Sequence, residues 1–127
     1  MGMKCKEINK GYPMEHKTTI DELCREMRQF VAERNWEQYH TPKNLAMSIT
    51  IEAAELMEHF QWLNNEQSVE HIEGQPGRSM VIDELADILL YCISFINILD
   101  VDMSKAILDK LERNKARYPI GYMPTEE

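Results

Sequence analysis

The sequence predicts an all-α fold, and three observations support this. In 127 residues there are only five Gly and five Pro, too few for the many turns of an all-β domain. Apolar residues recur at intervals of three and four over long stretches instead of alternating. A 43% apolar and 28% charged composition is typical of a single soluble globular domain of this length. We therefore expect a four-helix bundle, or helices intertwined in an oligomer.

The first two predicted helices have recognisable beginnings. Residues 19–22, Thr-Ile-Asp-Glu, have the capping-box pattern and open a helix that extends to about residue 34. Thr41 followed by Pro42 marks the start of a second helix, which we expect to extend to about residue 62. Both helices carry an apolar stripe, so each should face a core.

The second half of the chain predicts a loop and two more helices. Residues 64–77 are polar and end in Gly-Gln-Pro-Gly, which indicates a long surface loop that could serve as a lid. Residues 78–99 form a third helix with almost no polar face in its second half, so it is central or buries two faces by oligomerisation. Asp102 can cap a fourth helix, which Pro119 ends.

The two ends of the chain indicate the limits of the domain, and the cysteines indicate its compartment. Residues 1–17 are expected to form a flexible arm, residues 18–119 the domain, and residues 120–127 a flexible tail. No targeting segment or membrane-spanning run is readable. Three Cys without a paired spacing indicate neither a disulfide framework nor a thiolate zinc site, which favours the reducing cytoplasm.

The net charge of −8 limits the partners of the protein. Such a surface repels nucleic-acid polymers and anionic membranes, so neither is expected as a partner. A small polyphosphate remains possible, provided that metal ions or a few cationic side chains offset the repulsion.

Two acidic pairs stand out on consecutive predicted helices. Glu52 and Glu55 share one face of the second helix, and Glu84 and Asp87 share one face of the third, where Asp87 borders an apolar run. If these helices pack antiparallel, four carboxylates converge and a divalent cation would relieve their repulsion. All-oxygen ligands favour Mg²⁺, with Mn²⁺ as a possible substitute, and such a site could support hydrolysis of a phosphoanhydride.

Three other interpretations stay open at this point. In a chain with 22 acidic residues, such pairs also arise by chance on solvated helix faces. A carboxylate-bridged di-iron bundle would need Glu-x-x-His on two helices, whereas the one instance, at residues 37–40, lies in a predicted connection. A catalytically silent helical module that oligomerises through the third helix is also compatible with the composition.

Over residues 18–119 the sequence resembles the MazG-like, all-α nucleotide pyrophosphohydrolases, and especially their dCTP pyrophosphatase branch. The matching segments are AERNWEQYH at 32–40, PKNL at 42–45, EAAELMEHFQW at 52–62, DELADILLY at 83–91, and Lys110, Asn114 and the RYP of 117–119.

The resemblance implies hydrolysis of a nucleoside triphosphate between its α and β phosphates, to a monophosphate and pyrophosphate. It implies Mg²⁺ ligation by Glu52, Glu55, Glu84 and Asp87, with Glu55 orienting the attacking water. It also implies base recognition by Trp36, Trp62, Tyr91 and His40, phosphate contacts by Lys110 and Asn114, and a homodimer or homotetramer with pockets between subunits.

Met27 departs from the animal dCTP enzymes, in which we expect a histidine close to the base at this position. A thioether offers shape and polarisability but only weak hydrogen bonding. The substrate could therefore be another pyrimidine nucleotide or a modified one.

Overall fold

A computed structural model describes residues 17–124, and this part of the chain contains only helices and connections. The five α-helices are α1 (Ile20–Glu33), α2 (Pro42–Glu58), α3 (Asn65–Glu73), α4 (Gly77–Leu99) and α5 (Met103–Arg117). A single 3₁₀ turn, Glu37–Tyr39, lies between α1 and α2. The all-α prediction is confirmed. Residues 1–16 of the predicted flexible arm and residues 125–127 of the predicted tail lie outside the described residues.

Capping hydrogen bonds confirm three of the four predicted helix starts, those of α1, α2 and α5. The Thr19 hydroxyl accepts from the Glu22 N–H at 3.1 Å, and the Glu22 carboxylate accepts from the Thr19 N–H at 2.6 Å. This backbone hydrogen bond is the main reason that the pKa of Glu22 is lowered. Thr41 and Asp102 cap α2 and α5 by a single bond each, in which a side-chain oxygen accepts from the backbone N–H three residues on.

The prediction of a long loop at residues 64–77 is wrong, because most of the segment forms α3. The Asn64 side chain accepts from the Gln67 N–H, and the Gln67 side chain accepts from the Asn64 N–H, which is a second capping box. The polar composition of the segment concealed a short amphipathic helix. The described chain therefore has five α-helices instead of four, and α2 ends at Glu58, four residues earlier than predicted.

The small core lies where α4 packs against α1, α2 and α3. Its buried apolar side chains are Cys24, Val31, Leu45 and Ile93. Asn97 of α4 also ties α1 in place: it donates to the Cys24 carbonyl at 3.0 Å and accepts from Arg28 at 3.0 Å. The third predicted helix, now α4, is thus central to the chain.

Much apolar surface stays exposed on the single chain. Helix α5 contains no buried residue, and its Ile107 and Leu111 are 51% and 46% exposed. On α4, Leu85 and Leu89 on either side of Asp87 are also exposed, as is Asp87 itself. Within the described chain Asp87 is therefore solvent-exposed, and the costly desolvation expected from its apolar neighbours in sequence is not observed. No described helix is long and apolar enough to cross a membrane.

Candidate metal and nucleotide site

Three of the four predicted metal ligands come together between α2 and α4. Carboxylate oxygens of Glu52, Glu55 and Glu84 all lie within 4.8 Å of one another. Glu52 and Glu84 are half-buried, whereas Glu55 is exposed at the edge of the cluster. We call these three side chains the carboxylate cluster.

Asp87 does not place an oxygen within this group of three, but its charge acts on it. The pKa of Glu52 is raised, first by burial and then by the negative charges of Glu55 and Asp87. The cluster therefore concentrates negative charge that a divalent cation would neutralise. An all-carboxylate oxygen donor set fits Mg²⁺ or Mn²⁺, and it lacks the paired His ligands of a di-iron site.

Two histidines near the cluster were missed by the sequence analysis. His59, the C-cap residue that follows α2, has its Nε2 3.8 Å from Oε1 of Glu84. The ring of His71, from α3, lies beside that of His59 with 5.6 Å between their centroids. His59 follows Glu55 by four residues and so shares its helix face, a signal that the sequence contained.

Among the described residues, no ring contact joins any two of the three aromatic residues predicted to bind a base. Trp36 packs edge-on against Phe30, with ring centroids 5.7 Å apart. Trp62 is 86% exposed in the turn after α2, and Tyr91 is half-buried on α4. Their roles remain predictions.

His40 lines a cavity of about 200 Å³ between α1 and α4. The cavity is also lined by Arg28, Glu37 and Ser94. His40 Nδ1 and Ser94 Oγ are buried without a hydrogen-bond partner among the described residues. Polar groups of this kind are costly to bury unpaired, and most native ones have a hydrogen-bond partner.

Lys110 and Asn114 lie together on α5, as their spacing predicts, but apart from the carboxylate cluster. They line an open, mostly apolar groove of about 400 Å³ with Met103, Ile107 and Leu111. None of the three cluster carboxylates belongs to α5.

Comparison with known proteins decides the family. The sequence model of the MazG-like family matches residues 47–125, which include α2 from Met47 onward and all of α3, α4 and α5. The chain belongs to the MazG-like family. The resemblance is thus confirmed, and the carboxylate cluster lies inside the matched segment.

Named relatives agree with membership of the MazG-like family. The chain is 36% identical over 102 residues to dCTP pyrophosphatase 1 of Bos taurus and 35% identical over 109 residues to that of Homo sapiens. Each alignment covers 80% of this chain, but only 60% and 59% of the relative. The chain thus spans about three fifths of the length of these relatives.

A solved structure supports the MazG-like fold over most of the chain. A pyrophosphatase from Archaeoglobus fulgidus superposes with a TM-score of 0.74 at 38% sequence identity. The match covers 82% of this chain and 95% of the archaeal one.

Proposed function

We propose that this protein is a Mg²⁺-dependent nucleoside triphosphate pyrophosphohydrolase that cleaves between the α and β phosphates of dCTP or a related pyrimidine nucleotide. The carboxylate cluster between α2 and α4 carries the proposal. The names of the relatives, dCTP pyrophosphatase and pyrophosphatase, support the reaction class.

The cluster explains how a chain with a net charge of −8 could bind a polyphosphate. Glu52, Glu55 and Glu84 would hold the cation, with Asp87 adding charge or a further ligand. Bound Mg²⁺, or Mn²⁺ in its place, offsets phosphate charge and polarises the phosphorus.

Glu55 is best placed to orient the attacking water, because its carboxylate is the exposed member of the cluster. The water oxygen bonds to the α phosphorus while the bond from that phosphorus to the bridging oxygen breaks. Pyrophosphate leaves with the bridging oxygen, and the proton lost by the water can pass to the Glu55 carboxylate.

Base and phosphate recognition complete the proposed site. Trp36, Trp62 and Tyr91 would stack on the base, a contact worth about 1 to 3 kcal/mol per base, with His40 beside them. Lys110 and Asn114 would contact phosphates from α5 of a neighbouring copy.

The free thiols of Cys24 and Cys92 agree with a reducing cytoplasmic setting.

The reaction is tested by chromatography of the products from a panel of dNTPs and NTPs, incubated with Mg²⁺ or with excess chelator. We expect Mg²⁺-dependent formation of a monophosphate and pyrophosphate, with a pyrimidine deoxynucleotide cleaved fastest. Release of inorganic phosphate instead would contradict cleavage between the α and β phosphates. If none of the panel or its modified analogues is turned over, the catalytically silent module is favoured.

We further propose that the protein works as a homodimer or homotetramer in which the α5 groove is covered by a second copy. Leu111→Asp places a charge in this exposed apolar groove and should yield monomers in sedimentation analysis, with loss of turnover. Arg113→Asp, an exposed residue outside the groove lining, is the matched control and should keep the native assembly. A wild-type monomer with full activity would contradict this proposal.

A further inference from the structure

Three neighbouring rings next to the carboxylate cluster, those of His59, Phe60 and His71, have no role in the chemistry described so far. His59 Nε2 lies 3.8 Å from Glu84 Oε1, and the two side chains are only 12% and 24% exposed. This distance exceeds that of a direct hydrogen bond. His59 is therefore the histidine in contact with a cluster carboxylate.

Helix α3 contributes a second histidine that packs beside the His59 ring. The His71 ring lies against it, tilted by 35°, and the Phe60 ring packs edge-on against His71 with centroids 5.7 Å apart. His71 Nε2 is buried without a hydrogen-bond partner among residues 17–124. The His71 side chain is therefore held by packing against the two neighbouring rings. Its Nε2 makes no hydrogen bond to the described residues that would add to this.

The junction of α3 and α4 is shaped to admit His71. A Cβ atom at the buried Gly77 would stand 2.4 Å from the His71 carbonyl oxygen and 2.8 Å from its ring atoms Cε1 and Nδ1. Contacts this short do not occur, and the nearest one involves backbone. Any side chain at residue 77 would consequently displace α3 and its histidine.

We propose that His59 is a positioning residue for Glu84, and that α3, through His71, holds His59 in place. The proposal rests on the proposed function, in which Glu84 is a metal ligand. Without His59 beside it, the Glu84 carboxylate is free to turn away from the negative charges of Glu52 and Glu55. Groups that orient metal ligands from outside commonly change metal affinity by about 10- to 100-fold.

The direct test is Mn²⁺ binding to the full chain without nucleotide, followed by electron paramagnetic resonance. His59→Leu occupies the same place with an apolar side chain that lacks the ring nitrogens, and it should weaken Mn²⁺ binding by at least about 10-fold. His59→Gln keeps a polar N–H and should restore affinity to within about 3-fold of wild type. The Mg²⁺ concentration for half-maximal turnover should move in parallel, while turnover at saturating Mg²⁺ changes far less.

A control and a second variant separate positioning from folding. Glu58→Gln alters the neighbouring exposed residue on α2 and should leave Mn²⁺ affinity nearly unchanged. Gly77→Ala should weaken Mn²⁺ binding in the wild-type background by displacing His71, but add little in the His59→Leu background. Equal losses in both backgrounds would contradict the role of α3. If His59→Leu loses its helical circular dichroism, the Mn²⁺ affinities of His59→Gln and Gly77→Ala test the proposal instead.

Three results would overturn the assignment of His59. Wild-type Mn²⁺ affinity in folded His59→Leu would remove the positioning role while leaving the hydrolase proposal intact. A ¹⁴N coupling to bound Mn²⁺ that disappears in His59→Leu would make His59 a ligand itself. A wild-type protein that neither binds Mn²⁺ nor hydrolyses any nucleotide would overturn both proposals together.

Discussion

Glu55→Gln is expected to lower turnover of the preferred nucleotide by more than about 100-fold, since even changes outside the ligand shell cost about 10- to 100-fold. The amide keeps the size of the side chain but cannot accept the proton of the attacking water, and it weakens metal ligation. Glu55 is exposed at the edge of the carboxylate cluster, so the loss should come without unfolding. Turnover at saturating nucleotide and Mg²⁺ gives the measurement.

Glu58→Gln is the matched control for this variant. It makes the same chemical change on the same helix, also at an exposed residue, but outside the carboxylate cluster. It should retain turnover within about 3-fold, because isolated surface charges contribute little. Circular dichroism should be unchanged in both variants, and near-normal turnover by Glu55→Gln would rule out the assigned role.

Glu52→Gln is expected to stabilise the metal-free protein near neutral pH and to abolish most of the stabilisation by Mg²⁺. The pKa of Glu52 is raised by burial and by Glu55 and Asp87. Its favourable contribution to stability is therefore fully present below its ordinary pKa of about 4.5 and is lost as pH rises through the raised value. At neutral pH the ionised carboxylate destabilises the metal-free fold, and the amide removes that penalty.

Denaturant unfolding with chelator and with Mg²⁺ checks both halves of this prediction. With free Mg²⁺ at 100 times its dissociation constant, wild type should gain about 2.7 kcal/mol, whereas Glu52→Gln should gain much less. Glu22→Gln is the contrasting control, because the pKa of Glu22 is lowered and its contribution to stability is lost as pH falls below the ordinary value. An equal gain with Mg²⁺ in wild type and Glu52→Gln would contradict metal binding at this cluster.

Local sequence signals were sufficient for most of the helices but failed at α3. Caps such as Thr19, Thr41 and Asp102 act through side-chain bonds to backbone three residues away, so their effect is readable in a short window. The capping box of Asn64 and Gln67 is equally local, but the polar segment around it matched a loop as well as a helix. The contact of α3 with α4 distinguishes the two.

By itself, the sequence determined the all-α class, the helix starts and the pairing of Glu52 with Glu55 and of Glu84 with Asp87, because each depends on spacing along one helix. Only the tertiary structure decided which carboxylates meet. Packing of α2 against α4 brings the Glu84 carboxylate to those of Glu52 and Glu55, whereas Asp87 places no oxygen in this group. Contact of α3 with α4 places His71 beside His59, the C-cap residue of α2, and α5 stays exposed. These relations depend on distances between helices, and no periodicity within a single helix encodes them.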